Sequence, residues 1–206
     1  LGLWAAQAYF AAPRPQPPRG PDTEAPVAVD ATKLRSVRLY PALRELPPFE
    51  LQQSDGTALT ADELRGHWTL VFLGFTHCPD VCPTTLSDLA GAQKLWTGLP
   101  AATRPRVLFV SVDPERDTPA KTGEYASFFH PDTLAATAPA PALQAFAAGL
   151  GLVYMKVENA AGDYSMDHST GVVLIDPQGR QAGLIRPPLV PADIAADLRL
   201  LTETTR

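Results

Sequence analysis

The run Phe72–Leu86, FLGFTHCPDVCPTTL, holds both cysteines of the 206-residue chain, Cys78 and Cys82, each followed by a proline. Thiols this close can serve as a structural disulfide, as a redox couple, or as two soft metal ligands. The first use gains least. A bridge across three residues closes a very small loop, and the benefit of a cross-link grows with loop length. A chain of this size can also build its core without one. The prolines bear on local geometry. Pro83 suits the first position of a helix, where no N–H is needed, so Cys82 is expected as N-cap and Cys78-Pro79-Asp80-Val81 as the loop before it. Both sulfurs would then lie near the positive end of a helix, which favours thiolates and lowers their pKa. The pair is read as reactive, either as a redox catalyst or as part of a metal site.

A metal needs further donors, and the histidines are His67, His77, His130 and His168. His67 follows Gly66 ahead of an apolar run and is expected in an exposed turn. His130 ends a helical segment after Phe128-Phe129, where a cation suits the helix dipole, and is expected exposed or capping. His77 abuts Cys78, but neighbouring side chains of an extended segment point opposite ways, so it is expected not to be a ligand. His168, in GDYSMDHSTG, directly precedes the apolar run Gly171–Asp176. A strand there, beside the one leading into Cys78, would bring His168 toward the thiols; on pattern alone it could equally be a polar loop residue. Two thiolates and an imidazole make a soft set that suits copper, Cu(I) above all. A structural zinc site would ask for four protein ligands.

The elements that must position these residues follow from pattern. Phe49–Gln52 reads as a short strand ended by the turn Ser54-Asp55-Gly56, and Thr60 with Glu63 as a capping box. Trp68–Phe75 and Val107–Asp113 are apolar runs of the kind buried on both faces of a sheet. A helix is expected over Pro83–Trp96. Another starts at Pro119, capped by Asp117 or Thr118 after the turn DPERDTP, and runs to about Phe129. A helix over Ala142–Leu150 and a strand over Val153–Val157 precede the hairpin of Gly171–Asp176 and Gln181–Ile185, and a helix over Pro191–Leu201 closes the chain. The fold class is α/β: a central mixed sheet flanked by helices, in an order like that of thioredoxin, with extra N-terminal strands and a C-terminal helix.

Net charge is −5, with six basic and three acidic residues in 1–44 against eleven and nineteen in the remainder. An acidic body without a clustered basic face argues against nucleic-acid binding. Residues 1–12, LGLWAAQAYFAA, are apolar and too few to span a bilayer. They are expected to be the outer end of a membrane anchor, with Trp4 and Tyr9 near the interface. Residues 13–46 are then a proline-rich spacer and 47–206 the folded domain.

In this order, FTHCPDVCPTTL, SVDPERDTPA and DYSMDHS followed by an apolar strand closely resemble the Sco/SenC copper proteins, over roughly Pro48 to Leu201. The resemblance implies a thioredoxin-like fold and ligation of copper, as Cu(I) or Cu(II), by Cys78, Cys82 and His168. It also implies an anchored protein on the extracytoplasmic, periplasmic face of the bacterial inner membrane, or one facing the mitochondrial intermembrane space. Its partners would be an upstream copper donor and the copper subunit of cytochrome c oxidase, whose dinuclear centre it would help to assemble. Oxidised to a disulfide, Cys78 and Cys82 would release the metal. The alternative is a membrane-tethered thiol-disulfide oxidoreductase, with the same cysteines as redox pair. Thioredoxins carry Trp-Cys-x-x-Cys, one residue tighter, and a cis-proline opposite; this chain has no proline between Ser165 and Asp176. The peroxiredoxin pattern is missing too. Asp80 and Asp167 are candidates for supporting the site or docking a partner.

Overall fold

The computed structural model describes residues 29–158 and 162–204. The apolar stub and residues 13–28 of the proline-rich spacer lie outside the described residues. After a 3-10 turn at Ala31–Lys33 the elements are β1 (Val37–Arg44), β2 (Leu51–Gln53), β3 (Ala58–Leu59), α1 (Ala61–Leu64), β4 (Thr69–Gly74) and α2 (Val81–Leu95). Then come β5 (Arg106–Ser111), α3 (Pro119–Phe129), β6 (Leu134–Thr137), α4 (Ala140–Gly149), β7 (Tyr154–Glu158), β8 (Tyr164–His168), β9 (Val172–Ile175), β10 (Gln181–Ile185) and α5 (Pro191–Thr204).

Eight strands form one mixed sheet in the order β1-β10-β9-β4-β5-β6-β2-β3. Its centre follows from composition: every residue of β4 is buried, as are all of β9 and the last five of β5, which matches their unbroken apolar runs. β4 pairs parallel with β5 and antiparallel with β9. The expected neighbourhood of the Cys78 strand and the strand after His168 is therefore present. Helix α2 packs on α5, and α3 packs on β6, β2 and β5. The fold is the thioredoxin-like α/β sheet flanked by helices. β7 and β8 form a separate two-stranded hairpin.

Local signals explain several ends. Thr60 and Glu63 form the capping box of α1, and Thr118 caps α3 with Pro119 at its start. The boundary at residue 46 needs correction: Val37–Arg44, assigned above to the spacer, is an edge strand paired with β10. Its proline, Pro41, falls where the register slips between Leu39 and Arg44, and an edge strand tolerates a missing N–H. Buried Asp197 of α5 fixes its start, accepting the N–H groups of Ser36 at 2.8 Å and Val37 at 2.9 Å. Among the described residues no helix is long and apolar enough to cross a membrane.

Candidate metal centre

β4 ends at Gly74, and the chain turns through Phe75-Thr76-His77 to Cys78 before entering α2. The helix starts earlier than the prolines suggested. Val81 is its first residue and Asp80 its N-cap, without a side-chain cap bond. Pro83 is the third residue, still within the first turn, where N–H groups have no intrahelical acceptor; the first backbone bond is Thr84 N–H to Asp80 C=O at 3.2 Å. Cys82 thus sits inside the helix, and its N–H donates to Cys78 Sγ at 3.3 Å. The Cys78 sulfur performs the capping that Asp80 does not.

Both thiols are free, Cys78 half-buried and Cys82 buried. Cys82 Sγ packs where a side chain at Gly74 would stand: a Cβ there would lie 2.9 Å from the sulfur and 2.8 Å from Phe109 Cε2. Removal from water, and then the bond with Cys78, push the Cys82 thiol well above its ordinary range. This corrects the expectation that the helix terminus would lower it. At the second helical position and fully buried, the loss of hydration exceeds the dipole's help. Burial thus favours the protonated thiol at Cys82.

His168 ends β8, in a strand rather than the loop its sequence suggested. Its Nε2 lies 3.4 Å from Cys82 Sγ, and its Nδ1 is 3.0 Å from the Ser169 carbonyl. A carbonyl only accepts, so Nδ1 carries the proton and the Nε2 lone pair faces the sulfur. This is the tautomer a metal ligand needs, held by a backbone partner. Burial lowers the pKa of the ring, which keeps it neutral. The edges of Phe72 and Phe75 fix its plane, at 5.8 Å and 6.0 Å between centroids. The ligand atoms of Cys78, Cys82 and His168 all lie within 4.8 Å of one another, beside a shallow depression of about 220 Å³ that Asp80 and Asp167 also line. Two sulfurs and one unprotonated imidazole nitrogen fit a soft monovalent metal.

The other histidines stand apart. His77 is exposed, 3.6 Å from Asp117. His67 is buried, not exposed as expected; His130 is buried too, at the helix end where it was expected exposed or capping. His67 Nδ1 meets the Arg104 carbonyl at 2.8 Å, and His130, at the C-cap of α3, accepts the Asp132 N–H at 3.2 Å. Burial lowers both pKa values, so His130 is not the cation suited to the dipole.

The segment SVDPERDTP, read above as a turn and a cap, does more. Asp117, with no exposed side-chain surface, accepts the Thr76 N–H at 2.8 Å, the Thr76 hydroxyl at 2.5 Å and the Ser111 hydroxyl at 2.6 Å. It pins the turn two residues before Cys78. Three residues upstream of Arg116, Asp113 accepts the Arg116 Nε–H at 2.5 Å and the Tyr164 hydroxyl at 2.8 Å. Arg116 donates to the Tyr164 carbonyl at 3.0 Å and lies 3.7 Å over the Tyr164 ring. One segment therefore holds both the cysteine turn and the strand that carries His168. Sequence reasoning missed these roles, because the partners lie 41 to 51 residues apart in the chain.

The SCO1/SenC family model matches residues 39–203. The chain belongs to the SCO1/SenC family. It is 36% identical over 156 residues to a Stutzerimonas stutzeri protein named for copper binding, covering 75% of each. It is 39% identical to the mitochondrial SCO1 homolog 1 of Arabidopsis thaliana, but that match spans 64% of this chain and 39% of the relative. Among solved SCO1/SenC structures, copper-bound ScoI of Bradyrhizobium japonicum superposes with a TM-score of 0.69 at 35% identity, covering 75% of this chain and 98% of that one. Copper-bound yeast Sco1 gives 0.68 at 26% identity, over 76% and 87%.

Proposed function

We propose that this protein is a copper chaperone that binds copper through Cys78, Cys82 and His168 and passes it to the dinuclear copper centre of cytochrome c oxidase. The observation that carries the reading is the Nε2 lone pair of His168 facing Cys82 Sγ beside Cys78, in a family whose copper-bound members share the fold. The high thiol pKa of apo Cys82 fits a carrier. The buried sulfur gives up its proton when the cation arrives and regains it on departure, so loading and release are coupled to proton movement. Cys78, the more accessible sulfur, is the ligand an incoming acceptor thiol displaces first. Oxidation, in which both thiols pass two electrons and two protons to a disulfide-containing partner, removes two of three donors and gates the site. The protein would act on the extracytoplasmic side of the bacterial inner membrane, tethered through its apolar residues 1–12.

The unequal burial of the two cysteines also favours a second reading, thiol-disulfide exchange on exported proteins, with Cys78 as attacking sulfur. Mixing the reduced, copper-loaded protein with the metal-free copper domain of the oxidase, followed by separation and metal analysis, tests the first. The copper should move to the acceptor. An acceptor that ends with its disulfide reduced and no copper bound, with Cys78 and Cys82 oxidised to a disulfide and the copper released, would make the protein a reductase.

A further inference from the structure

Strand β8 alternates its faces. Tyr164, Met166 and His168 share one, and the burial along the strand follows that alternation, with Met166 the buried centre. Met166 is 7% exposed and lies in the wall of the same depression as Cys78 and His168. Its neighbours on the strand are fixed on either side. Tyr164 is held by Arg116 and Asp113, and His168 by the Ser169 carbonyl and two phenylalanine edges. A thioether is a neutral soft donor that selects Cu(I) over Cu(II), and methionine's unbranched chain can turn its sulfur toward a gap with little rearrangement.

We propose that Met166 supplies a fourth, thioether donor when Cu(I) occupies Cys78, Cys82 and His168. The inference rests on the copper reading above and adds a specificity element to it. A neutral sulfur gives the monovalent ion a further bond without adding charge, and gives the divalent ion little. Met166 thereby biases the site toward Cu(I). During transfer it holds the ion while one cysteine is exchanged for an acceptor thiol.

The test compares wild type with Met166→Leu, which keeps the volume and apolar character and removes only the sulfur. X-ray absorption on the Cu(I)-loaded proteins should give three sulfur neighbours in wild type and two in Met166→Leu. Chelator competition should show Cu(I) held roughly tenfold more weakly by the variant and Cu(II) unchanged. The copper midpoint potential should then fall by about 59 mV, the one-electron equivalent of tenfold. An unchanged Cu(II) affinity also reports that the variant's site is folded. Wild type with two sulfur neighbours and a Cu(I) affinity equal to that of Met166→Leu would overturn this inference and leave the three-ligand site intact. Wild type that takes up no copper in either state would overturn the copper reading and this inference together.

Discussion

Arg116 joins the two halves of the site without touching either cysteine or His168, so replacing it with methionine separates positioning from ligation. Arg116 keeps 20% of its side chain in water and Asp113 only 2%. Breaking a buried pair from one side costs about 3–5 kcal/mol. Partial exposure of the cation screens that figure, and Asp113 keeps the Tyr164 hydroxyl, which together bring it to about 2 kcal/mol. The lost stacking on Tyr164 at 3.7 Å adds about 1 kcal/mol. We expect Arg116→Met to lose about 3 kcal/mol of stability in urea denaturation. If about half of that falls on docking of the β7–β8 hairpin, Cu(I) affinity drops about tenfold, since each 1.4 kcal/mol is a factor of ten. Hydrogen exchange should show faster opening of residues 154–158 and 164–168, while disulfide exchange by Cys78 and Cys82 stays close to wild type. Wild-type Cu(I) affinity together with wild-type protection of the hairpin would refute the idea that SVDPERDTP positions His168.

Asp117→Ala removes three acceptor bonds from a fully buried carboxylate, at a cost of about 3 kcal/mol; the turn before Cys78 should loosen, seen as faster alkylation of Cys78 in the native state. Gly74→Ala drives a methyl into Cys82 Sγ and Phe109; overpacking of about 1–3 kcal/mol should appear in thermal unfolding, with weaker Cu(I) binding because the sulfur is displaced. For pH, His67 is held neutral by burial, so its folded pKa lies below its unfolded one. Its contribution is full above an unfolded pKa of about 6.5 and fades as pH falls toward the folded value. The urea midpoint of the metal-free protein should therefore drop between about pH 7.5 and 5.5, and drop less in His67→Gln.

Much of this was legible in the chain. The buried runs around β4, β5 and β9, the capping box at Thr60 and the cap at Thr118 are set by nearby residues, and they placed Cys78, Cys82 and His168 together. The start of α2 was misplaced because proline is as tolerable at the third helical position as at the first. β1 was hidden by Pro41, which an edge strand accepts. β8 was missed because YSMDH alternates through polar residues that resemble a loop. The rise in the Cys82 pKa depends on burial, which motif and helix position do not reveal. The brackets formed by Asp113, Arg116 and Asp117 are long-range, and only the folded sheet brings their partners together.

Whether Cys78, Cys82 and His168 form one copper site is decided by copper stoichiometry on the fully reduced protein under anaerobic conditions, against a competing Cu(I) chelator, for wild type and His168→Ala. One tightly held copper per chain is expected, greatly weakened in the variant. Cu(I) binding indifferent to His168, or none that withstands the chelator, would contradict this and leave Cys78 and Cys82 as a redox pair.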